Sequence, residues 1–365
     1  MSFAKNNVTK MSPTKPSRRL KVFVVGLGQM GKSHAIAYHK NPDYELVGMF
    51  NRGTVELPRE LSGYPMLESF EQGLALKPDV VSINTYTDTH AEFAIRAMEA
   101  GAHVFVEKPL ALSVDSAQAV VATASKTGRK LVIGYILRHH PSWNELIRAA
   151  RRLGPPYVMR MNLNQPSTGA AWEIHKRLLD TTPPMVDCGV HYVDVMCQIT
   201  DARPIQVRGM GVRLAADIAE NQVNYGHLQV LFDDGSVGWY EAGWGPMMSR
   251  TASVVKDVIG TRGAVSLVTG DNTDSADIES HTQGGQLRLH ALEFTAKGVG
   301  GSTETLIPIH DQVDHQTLCD REQAFLAHAI FSDMDLTDHH EGAIRSLEIV
   351  LAAERSMRER RAIDI

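Results

Sequence analysis

The sequence predicts an α/β protein with an amino-terminal doubly wound parallel sheet and a carboxy-terminal α+β domain built on a large, mainly antiparallel open sheet. Three observations support this prediction. Apolar strand-like segments alternate with helical segments up to about residue 143, which is typical of parallel sheets. A glycine-rich turn follows the first strand. Beyond about residue 145 the apolar residues alternate in the manner of half-buried strands.

Length and composition set the outer limits. The chain has 365 residues, 43% of them hydrophobic and 22% charged, which suits a globular protein of two domains. We expect a flexible tail at 1–19, a first domain at 20–143 and a second at 144–365. Neither a signal peptide nor a membrane-spanning run is evident. With three cysteines and no disulfide pattern, we expect a cytoplasmic protein.

The charge pattern limits the choice of partner. The formal net charge is −5 and the pI is about 6.3. A nucleic-acid binder would need a dense basic surface, which the sequence lacks. We therefore expect neither nucleic acid nor membrane as a partner, and a small molecule as the ligand.

The first strand, helix and second strand carry a dinucleotide signature. An apolar run over 20–25 leads into Gly-Leu-Gly-Gln-Met-Gly at 26–31, followed by a predicted helix over 33–38 and a strand over 45–50. Such glycines allow a tight turn, close approach of the phosphates and close helix packing. These features predict a Rossmann domain. Its candidate cofactor contacts are Gly26, Gly28, Gln29, Met30 and Gly31.

The end of the second strand bears on the choice of cofactor. NAD-specific folds usually carry an acid here, whereas this chain has Asn51 and Arg52. Asn51 can bond a ribose oxygen, and Arg52 can pair with a 2′-phosphate, which favours NADP. A solvated loop arginine is the alternative for Arg52.

Later strands of this half deliver more polar residues to the same sheet edge. Predicted strands over 79–84, 104–106 and 131–134 alternate with helices over 91–100 and 113–128. Lys108 follows the second of these strands, between Glu107 and Pro109. It is a candidate for the chemistry of the site, and the alternative is a lysine that is simply exposed to solvent. His90 can equally pack its own helix, and Arg138 can equally be a surface charge. The candidates at this edge are Thr85, Tyr86, His90, Glu107, Lys108, Tyr135 and Arg138.

The second half reads as strands over 157–164, 205–214, 222–232, 236–242, 252–259 and 264–269. Hairpin turns are predicted at 233–235 and at 260–263. A last helix over 341–358 closes the fold, with His339 and His340 as polar residues at its start. We expect an outer sheet face, carrying Tyr225, Leu228, Val230 and Trp239, to join subunits into a homodimer or homotetramer.

A helix predicted over 183–197 holds the densest chemistry. Asp187, His191 and Asp194 follow one helical face beside a buried stripe. A carboxylate one turn from an imidazole can orient it as a general base. A plain helix-surface pair and a metal site remain alternatives. Ahead of this helix, Trp172 and His175 lie in a predicted loop, where they can contact substrate or simply pack.

Three segments together resemble the Gfo/Idh/MocA family of NAD(P)-dependent sugar and polyol oxidoreductases: the glycine turn at 26–31, Ala-Gly-Ala-His-Val-Phe-Val-Glu-Lys-Pro-Leu at 100–110, and Asp-Cys-Gly-Val-His-Tyr-Val-Asp at 187–194. The resemblance spans about residues 20–360. It implies that Lys108 contacts nicotinamide and substrate, that Pro109 follows a cis bond, and that Asp187 and His191 bind substrate with His191 as acid/base.

The resemblance and the residues together predict an NAD(P)-dependent dehydrogenase, leaning to NADP, that acts on a hydroxyl or keto carbon of a sugar or cyclic polyol. No metal is expected in this reading. The catalytic candidates are Lys108, Asp187 and His191, and the substrate candidates add Tyr135, Trp172 and His175. Glycoside hydrolysis through transient oxidation, a non-catalytic cofactor-dependent sensor and a metal-dependent enzyme using Asp187, His191 and Asp194 are the alternatives.

Overall fold

The computed structural model describes residues 18–249, 255–268, 285–296, 298–311 and 313–365. Residues 1–17 of the predicted tail lie outside the described residues, as do 252–254 of one predicted strand and residue 269 of another. The first strand begins at Leu20, as the sequence predicts.

The first sheet is fully parallel and has six strands. In spatial order they are β3-β2-β1-β4-β5-β6. The order reverses between β1 and β4, and open α/β sheets bind ligands outside the carboxyl ends of the strands at such a point. The strands are β1 (Leu20–Val25), β2 (Tyr44–Phe50), β3 (Met66–Leu67), β4 (Val80–Ile83), β5 (His103–Glu107) and β6 (Leu131–Gly134).

Four helices connect these strands. Ser113 caps the fourth by accepting a hydrogen bond from the Ser116 N–H, and Gly128 ends it with φ of +65°. Both residues have the roles that capping rules assign to serine and glycine at helix ends. The helices are α1 (Gln29–Lys40), α2 (Phe70–Ala75), α3 (His90–Glu99) and α4 (Val114–Thr127).

In the parts of the chain that the structure describes, the second sheet has nine strands and is mainly antiparallel, with β7 and β10 as a parallel pair. Its order is β14-β13-β12-β11-β7-β10-β9-β8-β15. The strands are β7 (Val158–Gln165), β8 (Pro204–Val212), β9 (Tyr225–Phe232), β10 (Val237–Trp244), β11 (Lys256–Gly260), β12 (Gly263–Val268), β13 (Gln286–Thr295), β14 (Gly298–Ile307) and β15 (Ile363–Asp364). This arrangement confirms the predicted fold class.

The helices of the second half differ from the sequence prediction in three ways. Residues predicted as a loop around Trp172 form α6, and the helix predicted over 183–197 is broken at Cys188 into α7 and α8. Two long helices, α5 and α9, were not predicted. Among the described residues of this half, the helices are α5 (Pro141–Leu153), α6 (Gly169–Leu178), α7 (Pro184–Asp187), α8 (Gly189–Thr200), α9 (His315–Phe331) and α10 (Thr337–Glu359). Helix α5 runs across the boundary predicted at 143/144.

Both predicted hairpins are confirmed. β9 pairs antiparallel with β10 across Gly235, whose φ is +84°, and β11 pairs antiparallel with β12 from Gly260 to Gly263. The prediction of the outer face was partly wrong. Leu228 and Val230 are buried on the face that the helices cover, because side chains alternate along β9.

The opposite face of this sheet exposes a row of large apolar side chains. We call it the open sheet face, and it consists of Val158, Met210, Val212, Leu231, Val237 and Ile259. In the described parts of the chain, no helix combines the length and apolar character needed to span a bilayer.

Candidate functional site

The glycine turn has the shape that a dinucleotide requires. Gly26 has φ of +83°, and a Cβ on it would lie 2.6 Å from the backbone oxygen of Asn84. A Cβ on Gly31 would overlap the backbone oxygen of Gly26. Gly28 instead has open space around its Cβ position, and it precedes α1 without a side-chain cap. The first N–H groups of α1 are therefore accessible to an anion, so the turn fits a pyrophosphate.

Asn51 braces this turn. Its Oδ1 accepts a hydrogen bond from the Leu27 N–H at 2.9 Å, and its Nδ2 donates to the Gly53 oxygen at 2.8 Å. Arg52 beside it is exposed. At the start of α1, Gln29 is exposed and Met30 is half-buried. These residues all lie around the carboxyl ends of β1 and β2.

The loop after β4 is tied to the Lys108 turn through His90. The buried ring of His90 lies 2.7 Å from the Pro109 oxygen through Nδ1 and 3.0 Å from the Thr85 oxygen through Nε2. Burial lowers its pKa, although both carbonyl contacts oppose that shift. Thr85 contacts Thr89 at 2.6 Å, and Tyr86 is exposed. His90 thus joins two loops that border the crevice.

Lys108 contacts the second half of the chain directly. Its Nζ donates to Asp187 Oδ1 and to the Asp187 backbone oxygen, both at 3.1 Å. Burial alone would lower the pKa of Lys108, but Asp187, Cys188 and Glu107 together raise it above the ordinary value. The peptide bond to Pro109 is cis. Lys108 is therefore a charged donor at the junction of the two halves.

Glu107 turns away from the crevice into the protein. Its Oε1 lies 2.8 Å from His34 Nε2, and its Oε2 accepts from the Lys108 N–H at 3.2 Å. Burial would raise the pKa of Glu107, but His34 and the nearby positive groups lower it overall. The carboxylate thereby holds the backbone of Lys108 from behind.

The break at Cys188 sets the directions of Asp187 and His191. Asp187 ends α7 and contacts Lys108 and the Cys188 thiol, while His191 lies in the first turn of α8. The His191 side chain is largely buried, and its ring meets the edge of Tyr135 at a centroid distance of 5.8 Å. Two contacts thus join the two halves here, one between Lys108 and Asp187 and one between Tyr135 and His191.

Helix α6 holds Trp172 and His175. The indole of Trp172 is buried and donates to Asp217 Oδ2 at 2.9 Å. The His175 ring stacks on Trp244 at 4.4 Å, and its Nδ1 lies 2.9 Å from Ser167 Oγ. Burial lowers the pKa of His175 to about 4, with Asp187 opposing the shift. His175 is therefore a neutral ring near the Asp187 carboxylate.

Arg138 has its guanidinium engaged with the second half. It forms a two-point ion pair with Asp194 at 2.9 and 2.6 Å, and it lies over the Tyr135 ring at 4.6 Å. Burial would lower the pKa of Arg138, but Asp194 raises it. Asp194 is therefore held by its ion pair with Arg138, and it also accepts a hydrogen bond from Gln198 Nε2 at 2.8 Å.

The sequence analysis missed Gln165 and Trp244. These residues pair at the carboxyl ends of the parallel strands β7 and β10, and the Trp244 Nε1–H donates to Gln165 Oε1 at 2.7 Å. The Cys188 thiol contacts the same Gln165 oxygen at 3.8 Å. Gln165 and Trp244 are neighbours because β7 and β10 pair in parallel. The sequence analysis predicted only hairpins in this sheet, so it could not place the two residues side by side.

The arrangement can bind an anionic dinucleotide and polarise an oxygen. The first half offers the glycine turn, the junction offers the Lys108 ammonium held by Asp187, and the second half offers the buried imidazole of His191 and the half-buried imidazole of His175. Charge that develops on a substrate oxygen next to an ammonium in a partly desolvated site is strongly stabilised.

Comparison with known proteins agrees with this geometry. The family model described as "Oxidoreductase family, NAD-binding Rossmann fold" matches residues 20–135, and the "GFO/IDH/MocA C-terminal domain" matches residues 144–266. The chain is similar to the scyllo-inositol 2-dehydrogenase (NAD(+)) of Bacillus subtilis (strain 168), with 28% identity over 92% of this chain and 93% of that protein.

A second protein sequence and a solved structure illustrate the similarity further. The UDP-N-acetylglucosamine 3-dehydrogenase of Acidithiobacillus ferrooxidans is 32% identical, over 54% of this chain and 59% of that protein, so this match spans little more than half of either length. The crystal structure of aldose-aldose oxidoreductase from Caulobacter crescentus has the same fold, with a TM-score of 0.74 and 22% identity over 95% of this chain and 100% of that chain. The two family matches cover the first sheet and β7 to β11 of the second, and the chain belongs to the Gfo/Idh/MocA family of oxidoreductases.

Proposed function

We propose that the protein transfers a hydride between NAD(P) and a hydroxyl-bearing carbon of a sugar, a sugar derivative or a cyclic polyol. The observation that carries this proposal is the Lys108–Asp187 pair, which lies at the carboxyl edge of the first sheet and joins it to the second half of the chain. The relatives named for inositol and for sugar-nucleotide oxidation support this substrate class.

A bound NAD(P) would supply the hydride acceptor or donor for this reaction, and the glycine turn at 26–31 would hold its pyrophosphate. Lys108 donates a hydrogen bond to the substrate oxygen on which negative charge develops during oxidation. His191 takes the hydroxyl proton, and Asp187 orients the Lys108 ammonium through their 3.1 Å contact. The raised pKa of Lys108 favours its role as a donor rather than as the base.

We propose that His175 and Tyr135 contribute to the substrate pocket. The neutral His175 ring is held flat against Trp244 and can hydrogen-bond a hydroxyl group. Tyr135 packs against the His191 ring and fixes its orientation. The buried Trp172 acts by positioning α6 through its bond to Asp217.

For the cofactor we propose a preference for NADP. The exposed Arg52 follows the strand end where an acid would favour NAD, and a guanidinium suits a 2′-phosphate. Three free, buried cysteines support a reducing, cytoplasmic setting.

The proposal is tested with a panel of inositols, aldoses, sugar acids and sugar nucleotides, each assayed with NAD and with NADP through the absorbance of the reduced nicotinamide. We expect turnover of at least one member, and Arg52→Ala should cost about tenfold or more in kcat/KM for NADP with little change for NAD. Cofactor binding without turnover across the whole panel would contradict the enzyme reading. An equal loss with both cofactors would contradict the role of Arg52.

We also propose that the open sheet face joins copies of the chain into a dimer or tetramer. Its six exposed apolar side chains form the kind of patch that subunit interfaces cover. Light scattering at micromolar concentration should give an oligomer. Replacing Leu231 and Val237 together by lysine should shift it toward the monomer, whereas lysine at the exposed Leu112, far from this face, should not.

A further inference from the structure

A closed polar cluster lies between α1 and α9, away from the crevice. His34 projects from α1, and Cys319 and Glu322 project from α9. All three are fully buried. One potential ligand atom from each, an imidazole nitrogen, a sulfur and a carboxylate oxygen, lies within 4.8 Å of the other two.

Burial of the Glu322 carboxyl group in this cluster destabilises the folded protein. Both carboxylate oxygens are buried and neither has a hydrogen-bond partner. Burial, reinforced by the charge of Glu107, raises the pKa of Glu322 well above its ordinary value. Protonation removes the charge but leaves the oxygens without partners, and each unsatisfied buried polar group costs about 1–3 kcal/mol. Because buried polar groups in proteins usually have a partner, a bound ion next to Glu322 would explain this arrangement.

The hydrogen bonds of His34 prepare it as a ligand. Its Nε2 lies 2.8 Å from Glu107 Oε1, so the tautomer that donates to this carboxylate leaves a lone pair on Nδ1. A ligating histidine usually donates its other N–H to a carboxylate in this way. In the present structure the Gln323 amide donates to Nδ1 at 2.9 Å, while its own Oε1 is buried without a partner. Rotation of the Gln323 side chain would free the lone pair.

We propose that His34, Cys319 and Glu322 bind a zinc-type divalent cation that fastens α9 to the first domain. Thiolate, imidazole and carboxylate are the three ligand types that zinc takes in proteins. Two anionic ligands balance the 2+ charge, so the occupied site is neutral and can remain buried. A water completes the four-coordinate shell, and His315, whose Nε2 lies 3.4 Å from the Cys319 sulfur, borders the site.

Binding has a defined proton balance. Zinc binds a cysteine as its thiolate and a glutamate as its carboxylate, so any proton on Cys319 or Glu322 leaves to solvent when the cation binds, and no electron is transferred. Metal affinity should therefore rise with pH. The site lies outside the proposed reaction, so its test does not depend on turnover.

The test uses the untagged full chain, dialysed first against a chelator and then against a small excess of Zn²⁺, with metal content measured by mass spectrometry. We expect about one tightly held zinc per chain. Co²⁺ in place of Zn²⁺ should give a thiolate-to-cobalt charge-transfer band. Glu322→Gln and Cys319→Ser should each lose the metal, whereas Cys197→Ser, which removes another buried cysteine, should keep it.

Stability provides the second readout. Zinc should raise the Tm of the wild type and of Cys197→Ser, and should leave the Tm of Glu322→Gln unchanged. The nearly isosteric glutamine keeps this comparison available if the serine variant fails to fold. Wild-type protein that holds no zinc, or zinc held equally by the wild type and Glu322→Gln, would overturn the proposal. The second result would mark surface binding only.

Discussion

Replacing Lys108 by methionine should lower kcat for the oxidised sugar or polyol by about 10²- to 10³-fold, the usual cost of removing one donor from a developing oxyanion. The side chain is similar in length, so packing is largely kept while the ammonium is lost. The Asp187 carboxylate then loses its bond to Nζ and keeps its contact with the Cys188 thiol. Steady-state kinetics with the substrate found in the panel will measure the effect.

Two variants give this result its meaning. Lys108→Arg keeps the charge, but its planar fork cannot reproduce the two bonds of Nζ to Asp187, so activity should stay well below wild type. Lys126→Met removes an exposed lysine on α4 and should leave kcat unchanged. Lys108→Met with more than about a tenth of the wild-type kcat would contradict the proposed role.

Replacing His191 by alanine should cost 10²-fold or more in oxidative kcat, because general-base catalysis is typically worth 10²- to 10⁴-fold. An imidazole accepts a proton only when it is neutral, so oxidative turnover by the wild type should fall as the pH is lowered. A rate–pH profile of both proteins will show whether this acid limb belongs to His191.

The matched control for His191 is His39→Ala. His39 lies at the end of α1, where it contacts the Tyr64 hydroxyl at 2.8 Å on the surface. This variant should keep both the wild-type rate and its acid limb. If His191→Ala keeps that limb, another group is the base, and His175 becomes the next candidate because it is the other imidazole near Asp187.

Local chemistry explains what could be read from the sequence. The strands at 20–25 and 131–134, the glycine turn, the serine cap and glycine end of α4, and both hairpins each depend on residues close together in the chain. The same holds for the Glu-Lys-Pro turn. Backbone conformation at a glycine or a cap is decided by its neighbours, so these features are legible without a fold.

Contacts between segments that are distant in the chain could not be predicted from the sequence. His339 and His340 lie in the first turn of α10, at the helix start where the sequence predicts them, but the sequence did not show what they contact. They are paired with β6: the Ile133 N–H donates to His339 Nε2 at 2.9 Å, and His340 Nε2 lies 2.7 Å from the Leu131 oxygen. β6 is an edge strand with unpaired backbone groups, and two histidines of α10 satisfy them.

The candidate site divides in the same way. By itself the sequence determined the candidate residues, since the motif around Lys108 and the spacing of Asp187 and His191 are local. Only the tertiary structure decided their partners: the break at Cys188 directs Asp187 to Lys108, Arg138 is occupied by Asp194, and Glu107 turns inward to His34. The physical reason is that the partner of a side chain is whichever group lies within about 3 Å of it. When that group comes from a distant part of the sequence, packing of the whole chain sets the distance.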